Sequence, residues 1–443
     1  MSTTDLTGVR VAVVNWRDPW HPQAGGAERY AWEMARALVQ SGAQVSFLTA
    51  CAPGQAPLDE QAGIVIIRLG GRFTVYPRVL SWLFSHRWSF DAVLDCQNGI
   101  PFFTPLVLPP LVPVLCVVHH VHTAQFGVHF PWWMASVGRF LEGPAARLVY
   151  RRHACVAVSP STVTAMRDRL GWTGDIYLIP NGAPEAPENG APEEDGPPEA
   201  SENGAAEVIG NLVWVGRLVG HKRATLLLSV AERLRTRNAG LVIDVIGRGQ
   251  AAPSLAAEVA ARGLEPFVRR HGYLPEEDKQ ALVAGSLLHL NTSQGEGWGL
   301  CVLEAAACGV PTVAYDVDGL RDAVRDGETG WLVRDGESLA DVVELALLEL
   351  SDPDRRAAIA ADCRRWAARL DWGRSTARMA ALISACVTAR TSRARRHEAW
   401  IVDGPDGDVL AEGPVLDALI AAGASVRRPA TPLERLTGAG QPP

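Results

Sequence analysis

Leu287-Leu288-His289-Leu290-Asn291-Thr292-Ser293, followed by Glu296-Gly297-Trp298-Gly299-Leu300-Cys301-Val302-Leu303-Glu304 and Ala307-Cys308-Gly309-Val310-Pro311, reads as strand, turn and helix, with the next strand starting at Pro311. The apolar run ending at Asn291 has strand length, and Leu300 to Ala307 has the continuous apolar character of a buried helix. The glycines therefore fall at a strand-to-helix turn. Such a turn exposes free N–H groups at the positive end of the helix dipole, and glycine lets a ligand approach the backbone. A phosphate or a polar sugar suits that place. Glu296 stands at its mouth and Glu304 about a turn or two inside the helix. Two acceptors at different depths suit a polyol, one for a sugar's hydroxyls and the other for a ribose. Taken alone, the run also fits an ordinary helix start with one solvated glutamate.

A second element narrows the choice. Asn211-Leu212-Val213-Trp214-Val215-Gly216-Arg217-Leu218 is an apolar strand ending in Gly-Arg, and Lys222 follows within Val219-Gly220-His221-Lys222-Arg223. A forked guanidinium and a mobile ammonium leaving one strand end can divide the oxygens of a diphosphate. An exposed basic turn is common for a single lysine, less so in this company.

Both halves of the chain alternate strand and helix. Strands are expected near 9–15, 45–50, 63–69, 92–95, 113–118, 154–159 and 176–180, with helices near 28–41 and 161–170. The second half repeats the pattern, with strands near 211–216, 240–247, 267–272, 287–291 and 311–315 and helices near 224–237 and 275–284. Strands separated by helices imply an α/β fold with parallel, doubly wound sheets, whose ligands lie beyond the carboxyl ends of the strands.

These residues resemble a known family. Gly216-Arg217-Leu218 with Lys222, the Glu296 to Glu304 run, Ala307-Cys308-Gly309-Val310-Pro311 and Asp326-Gly327-Glu328-Thr329-Gly330-Trp331-Leu332-Val333 stand in the order found in GT4-type retaining glycosyltransferases of the GT-B fold. In the first half, strand Val9 to Asn15, Gly25-Gly26-Ala27-Glu28-Arg29 opening a helix, and Gln44 to Thr49 agree. The likeness covers roughly residues 8 to 385 and is silent on the insert after Asn181-Gly182 and on the tail. It implies two Rossmann-like domains facing across a cleft. The expected partition is an acceptor domain over 1–183, a linker over 184–207, a nucleotide-sugar domain over 208–370, a helix over 371–390 crossing back to the first domain, and an appended module over 391–443.

The resemblance also implies site residues. Pro113 to Val118 ends at His119-His120-Val121-His122, and a histidine there lies near the transferred sugar in the family. His119 directly follows the strand and takes that role, with His122 as the alternative. A metal site from this cluster is set aside, because His119 and His120 point to opposite sides of an extended chain and no carboxylate follows at ligand spacing. Gly25 and Gly26 are placed near the donor, and Glu28 and Arg29 read as capping or ion-pair residues. Ser161 reads as a helix N-cap. The expected catalytic set is His119, Arg217, Lys222 and Glu296. Donor contacts fall to Gly25, Gly26, Arg217, Lys222, Gly297, Trp298, Gly299, Leu300 and Glu304. The donor is a UDP- or GDP-sugar and the acceptor a hydroxyl of unknown class, in glycan, glycolipid or natural-product biosynthesis. No metal and no cofactor are expected. With no covalent nucleophile evident, transfer with retention is expected to be front-face, the departing diphosphate taking the acceptor's proton.

Composition is consistent with this. At 443 residues and 47% hydrophobic the chain can fill two or three cores. The start lacks an apolar leader and no uninterrupted apolar span is long enough for a membrane helix, so a cytoplasmic location is expected. Eight cysteines are scattered without a Cys-x-x-Cys, which argues against a disulfide scaffold or a zinc site. The formal charge is −7, yet residues 184–207 hold eight acidic and no basic side chains, leaving +1 elsewhere. That segment repeats Glu-Asn-Gly-Ala at 188 and 202 and reads as a disordered acidic linker. No basic face or motif points to nucleic acid. Residues 73–90 and 129–152 mix Trp, Phe, Leu and Arg in a way that can lie on a membrane, and peripheral contact at its inner face stays open. Helices packed on the first sheet or lining an acceptor pocket are the preferred reading there. In the tail, 399–402 and 408–411 are expected to pair around Gly404 to Gly407, with a helix near 415–422.

Two other classes compete. A non-catalytic sugar-nucleotide-binding protein of the same fold should lack some phosphate and carboxylate positions, and all are present. An NAD-dependent oxidoreductase needs Gly-x-Gly-x-x-Gly after the first strand, and Val11 to Arg17 lacks it.

Overall fold

The computed structural model describes residues 4–123, 125–183, 211–237, 240–391, 400–403, 409–411 and 425–427. The acidic linker, the turn at 404–407 and the helix expected near 415–422 lie outside them. Compact packing divides the chain into one unit of Met1–Asn181 with Trp372–Pro443 and a second of Gly182–Asp371.

The first unit is built on an eight-stranded sheet of order β3-β4-β2-β1-β5-β6-β7-β8. In chain order these are Arg10–Val14, Gln44–Thr49, Leu58–Gln61, Ile64–Arg68, Ala92–Asn98, Val114–His120, Ala154–Ala157 and Ile176–Leu178. All neighbours pair in parallel except β3, an antiparallel edge strand. The period-two side-chain alternation divides the core between the two faces. Val11, Val13, Phe47, Leu94, Leu115 and Val117 pack on one side with Tyr30, Met34 and Leu38 of the Gly26–Gln40 helix. Met379 to Ile383 of the long helix Trp372–Thr391 complete that layer. Ala12, Val14, Leu48, Val93, Cys116 and Val118 face the other way, against Val75, Val79 and Leu83 of helix Val75–Ser85. The packing preferred from the sequence holds for that inner row. Trp88, 71% exposed, and Trp132, 81% exposed, stand outside that row.

The second unit holds a parallel six-stranded sheet, β11-β10-β9-β12-β13-β14. Its strands are β9 Asn211–Val215, β10 Ile243–Ile246, β11 Val268–Gly272, β12 Ser286–Asn291, β13 Thr312–Tyr315 and β14 Gly330–Val333. Burying a Val, Leu or Phe side chain stabilises by about 1.5–3 kcal/mol, and the unit's main core joins Leu212, Trp214, Ile243, Leu288, Leu290 and Val313. β15 Trp400–Asp403 pairs antiparallel with β16 Val409–Ala411, the expected hairpin, and also with β17 Ser425–Arg427.

Three strands were not anticipated, β3, β14 and β17 of the tail. β3 reads Leu-Asp-Glu-Gln and is mostly exposed, so it lacks an apolar signal. β14 is four residues long and starts at a glycine. The cap of helix Pro160–Asp168 is also corrected: Ser159 Oγ accepts from the Thr162 N–H at 3.0 Å, and Ser161 lies buried inside the helix. Proline suits the first helical position because its missing N–H would go unpaired there anyway, which moves the cap two residues earlier.

Candidate functional site

The carboxyl edge of the second sheet collects most of the second-half candidates. β9 ends at Val215, and the backbone continues to pair, Gly216 N–H to Ile246 O and Leu218 N–H to Arg248 O, both 3.0 Å. Residues 216–218 thus run against 247–249. A Cβ at Gly247 would stand 1.8 Å from Gly216 O, and one at Gly249 2.2 Å from Leu218 O. Only glycine permits that approach. Neither position was singled out from the sequence, although Ile246-Gly247-Arg248-Gly249 directly follows a strand. Arg217 is exposed at the end of this edge.

Lys222 closes a single 3₁₀ turn, Gly220–Lys222, and Arg223 follows in the left-handed region at φ 48°. That strained geometry is held by three groups. The Arg223 guanidinium donates to Thr292 O at 2.8 Å and Ser293 O at 3.1 Å, and it lies 4.2 Å over the Tyr315 ring. Thr292 Oγ1 donates to Lys222 O at 2.6 Å while accepting from Trp214 Nε1 at 3.0 Å. The end of β12 and the basic turn are therefore one cross-braced unit, and Arg223 is a positioning residue that sequence reading missed.

In this frame Lys222 Nζ forms an ion pair with Glu296 Oε1, which also accepts from Ser293 Oγ at 2.7 Å. Burial pushes the Glu296 carboxyl up, but Lys222 and the Ser293 hydroxyl outweigh it and hold it below the usual carboxylate range. The Glu296 N–H donates to Asp318 O at 3.0 Å. Gly319, at φ 78°, passes so close that a Cβ would lie 2.4 Å from Glu296 O. Gly299 caps the Leu300–Ala307 helix at φ 93°. Trp298 is 1% exposed, a core residue whose Nε1 has no hydrogen-bond partner. Further along the helix, Glu304 Oε2 is 3.0 Å from Lys279 Nζ, which also meets Glu276 at 2.9 Å. Lys279 stands on helix Glu276–Ala284. Burial lowers the pKa of Lys279, but the two carboxylates outweigh it and raise it. Nothing in the local spacing signalled this partner.

In the first unit, Gly25 is the N-cap of helix Gly26–Gln40, its N–H bound to Glu28 Oε2 at 2.8 Å, so Glu28 is the capping residue. His119 is 6% exposed near the carboxyl end of β6, edge-on to Tyr30 with ring centroids 5.1 Å apart, and its Nε2 has no partner. Burial, with His122 nearby, pushes its pKa down to about 3, so the ring is neutral at physiological pH. His120 and His122 turn toward one another at 5.0 Å, and buried Glu142 accepts from the His122 N–H at 2.5 Å. Among the described residues no three His, Cys, Asp or Glu side chains are grouped to hold a metal ion.

Two family models match the chain: "Glycosyltransferase Family 4" over residues 24–186 and "Glycosyl transferases group 1" over 205–366. Between them they cover every candidate above and every strand of the two sheets except β1. The chain belongs to the GT4-type glycosyltransferases of the GT-B fold. Over 178 residues, this glycosyltransferase-family chain is 38% identical to a D-inositol 3-phosphate glycosyltransferase of Thermobispora bispora, which is 38% of its own length and 41% of that relative's. Its fold matches a sucrose-phosphate synthase from Thermosynechococcus elongatus with TM-score 0.70 at 18% identity, over 86% of this chain and 100% of that one. Anabaena HepE, solved with UDP and glucose, matches with TM-score 0.62 at 18% identity, over 85% and 99%.

Proposed function

We infer that the protein transfers a glycosyl group from a nucleoside-diphosphate sugar, a UDP- or GDP-sugar, to an acceptor hydroxyl with retention of anomeric configuration. The observation that carries the reading is the Lys222–Glu296 pair at a strand-to-helix turn, with Arg217 at the neighbouring strand end. In this reading the second unit is the nucleotide-sugar domain and the first the acceptor domain, joined by a linker over 184–207 and the returning helix over 371–390.

Lys222 and Arg217 neutralise the charge that develops on the departing diphosphate, the term that carries most of the rate. Glu296, kept ionised by Lys222, accepts hydrogen bonds from the sugar hydroxyls. The backbone N–H groups from Gly297 through Trp298 and Gly299 to Leu300 hold phosphate and sugar oxygens. Glu304 takes the ribose hydroxyls. His119, neutral, faces the transferred sugar, and Gly25 and Gly26 admit the donor at the first helix. The leaving diphosphate takes the acceptor's proton as the new bond forms on the same face. The two cations make a metal ion unnecessary, and the reading places the protein in the cytoplasm, with peripheral contact at the inner face of a membrane left open. The HepE structure holds UDP and glucose, and the Thermobispora relative is a glycosyltransferase for an inositol phosphate. The first supports a nucleotide donor and the second a polyol acceptor.

The test is a panel of UDP-, GDP- and dTDP-sugars screened by thermal shift, then turnover of the stabilising donor with and without EDTA and assignment of the product anomer by NMR. Stabilisation by one donor class and a retained anomer support the reading. Binding without transfer to any hydroxyl would favour a non-catalytic sugar-nucleotide-binding protein, and activity lost in EDTA would restore a metal.

A further inference from the structure

From Arg72 to His153 the chain carries seven arginines and three carboxylates, in a protein whose formal charge is −7. The carboxylates do little to balance that surface. Asp95 and Glu142 are fully buried, and Asp91 lies 3.0 Å from Arg10, outside the stretch. Among the described residues, ten of the sixteen large hydrophobic side chains that stand exposed also fall in this stretch. They include Phe73, Trp88, Trp132, Trp133, Phe140 and Leu148, from 56% to 81% exposed.

Helix Val75–Ser85, the loop after β5 and helix Ala146–Tyr150 pack on one face of the eight-stranded sheet, and helix Trp132–Phe140 runs on through Leu141–Ala145 into the last of these. Val79 of helix Val75–Ser85, Leu108 and Val112 of the loop after β5, and Ala146 and Tyr150 of helix Ala146–Tyr150 all enter the same core cluster. On helix Trp132–Phe140, Trp133, Val137 and Phe140 recur at four and three residues, which places them on one helical face. Arg87 lies 4.5 Å over Phe84, so aromatic and cation are interleaved as well as neighbouring.

We propose that this face docks the protein on an anionic lipid bilayer. Exposed Trp and Phe rings enter the boundary between headgroups and acyl chains, and arginines beside them meet lipid phosphates. Charge selects this occupant over a second copy of the chain, because a self-complementary interface would set seven arginines against seven. The proposal gives the peripheral contact of the reading above its surface and its lipid, and it stands whether or not the site transfers sugar.

The full-length protein is sedimented with extruded vesicles of phosphatidylcholine alone and of phosphatidylcholine with about a third phosphatidylglycerol, without donor, with melting temperature as the check on folding. The wild type should partition at least about tenfold more strongly onto the anionic vesicles, and raising salt from about 0.1 to 0.5 M should weaken that binding. Trp132→Ser/Trp133→Ser/Phe140→Ser and, separately, Arg151→Glu/Arg152→Glu should each lower the partition by about tenfold. Should the triple variant fail to fold, quenching of wild-type tryptophan fluorescence by brominated acyl chains reads the same insertion. No binding, equal binding to neutral vesicles, or unchanged partition of the folded variants overturns the proposal. So does a wild-type dimer that binds no vesicle and dissociates on these substitutions.

Discussion

Lys222 and Glu296 are 74 positions apart and meet in one ion pair, each less than a fifth exposed. In the proposed reading a diphosphate arriving there would give Lys222 a second anion, while Glu296 would stay ionised for the sugar. Lys222→Ala and Arg217→Ala should each cut turnover by about a hundredfold or more without lowering the melting temperature substantially. Purified variants with near-normal turnover on an accepted donor would remove the diphosphate from these residues. The types at both positions were legible in the sequence, since Gly-Arg with a following Lys and the paired glutamates each carry a chemical signature. Their direct pairing was not, because local spacing says nothing about contacts between the ends of β9 and β12. A different residue, His289, sets a pH dependence. It is buried with Nδ1 3.1 Å from Thr312 Oγ1, and burial, aided by Lys222, pushes its pKa from 6.5 down to about 3. Below pH 6.5 the unfolded chain takes up a proton that the folded one refuses, so the stabilisation present above that pH is lost as pH falls toward 3. His289→Gln should therefore flatten the fall in unfolding free energy between about pH 6.5 and 5 by roughly one proton, ~1.4 kcal/mol per pH unit. Urea titrations at several pH values read this slope, and an unchanged slope would mean that His289 is not held neutral.

The strand–turn–helix from β12 to Ala307 was readable because a long apolar helix follows glycines at a strand end, and the helix occupies Leu300–Ala307 as expected. Short elements escaped. β3 and β14 are four residues each, too short for a two-residue alternation to declare itself against polar or glycine-rich neighbours. Steric glycines escaped too. Gly247 and Gly249 serve by letting the β10 loop touch the β9 loop, which becomes visible only when those strands are neighbours in space. Gly319 makes the same point at the site. Gly319→Ala should destabilise by about 1–3 kcal/mol from the positive φ, and the new Cβ should displace the Glu296 peptide, lowering turnover more than nucleotide affinity. Urea unfolding beside calorimetry with UDP checks this. Wild-type stability and turnover would show that the 316–319 loop has no part in placing Glu296.

The alternation of strands and helices was enough to give two parallel-sheet α/β units, because the pattern runs through both halves. The return of the last helix, Trp372–Thr391, to the first unit was expected from the family resemblance and not from the alternation, and its seat beside Gly26–Gln40 depends on side chains from opposite ends of the chain. Deleting 184–205 from the acidic insert should leave turnover and melting temperature nearly unchanged, with activity within about threefold, since such composition builds no core. A rise in the acceptor's KM at constant stability would give the segment a part in recognition. In the proposed site one motif serves two ends of a nucleotide sugar, and calorimetry with the free nucleoside diphosphate, run beside turnover, separates them. Glu304→Gln should weaken diphosphate and intact donor alike, because the ribose is common to both. Glu296→Gln should leave diphosphate affinity near that of the wild type while transfer collapses, because its interactions are made to the sugar and strengthen as the bond to phosphate breaks. Equal losses of diphosphate affinity in the two variants, or none in Glu304→Gln, would contradict the account.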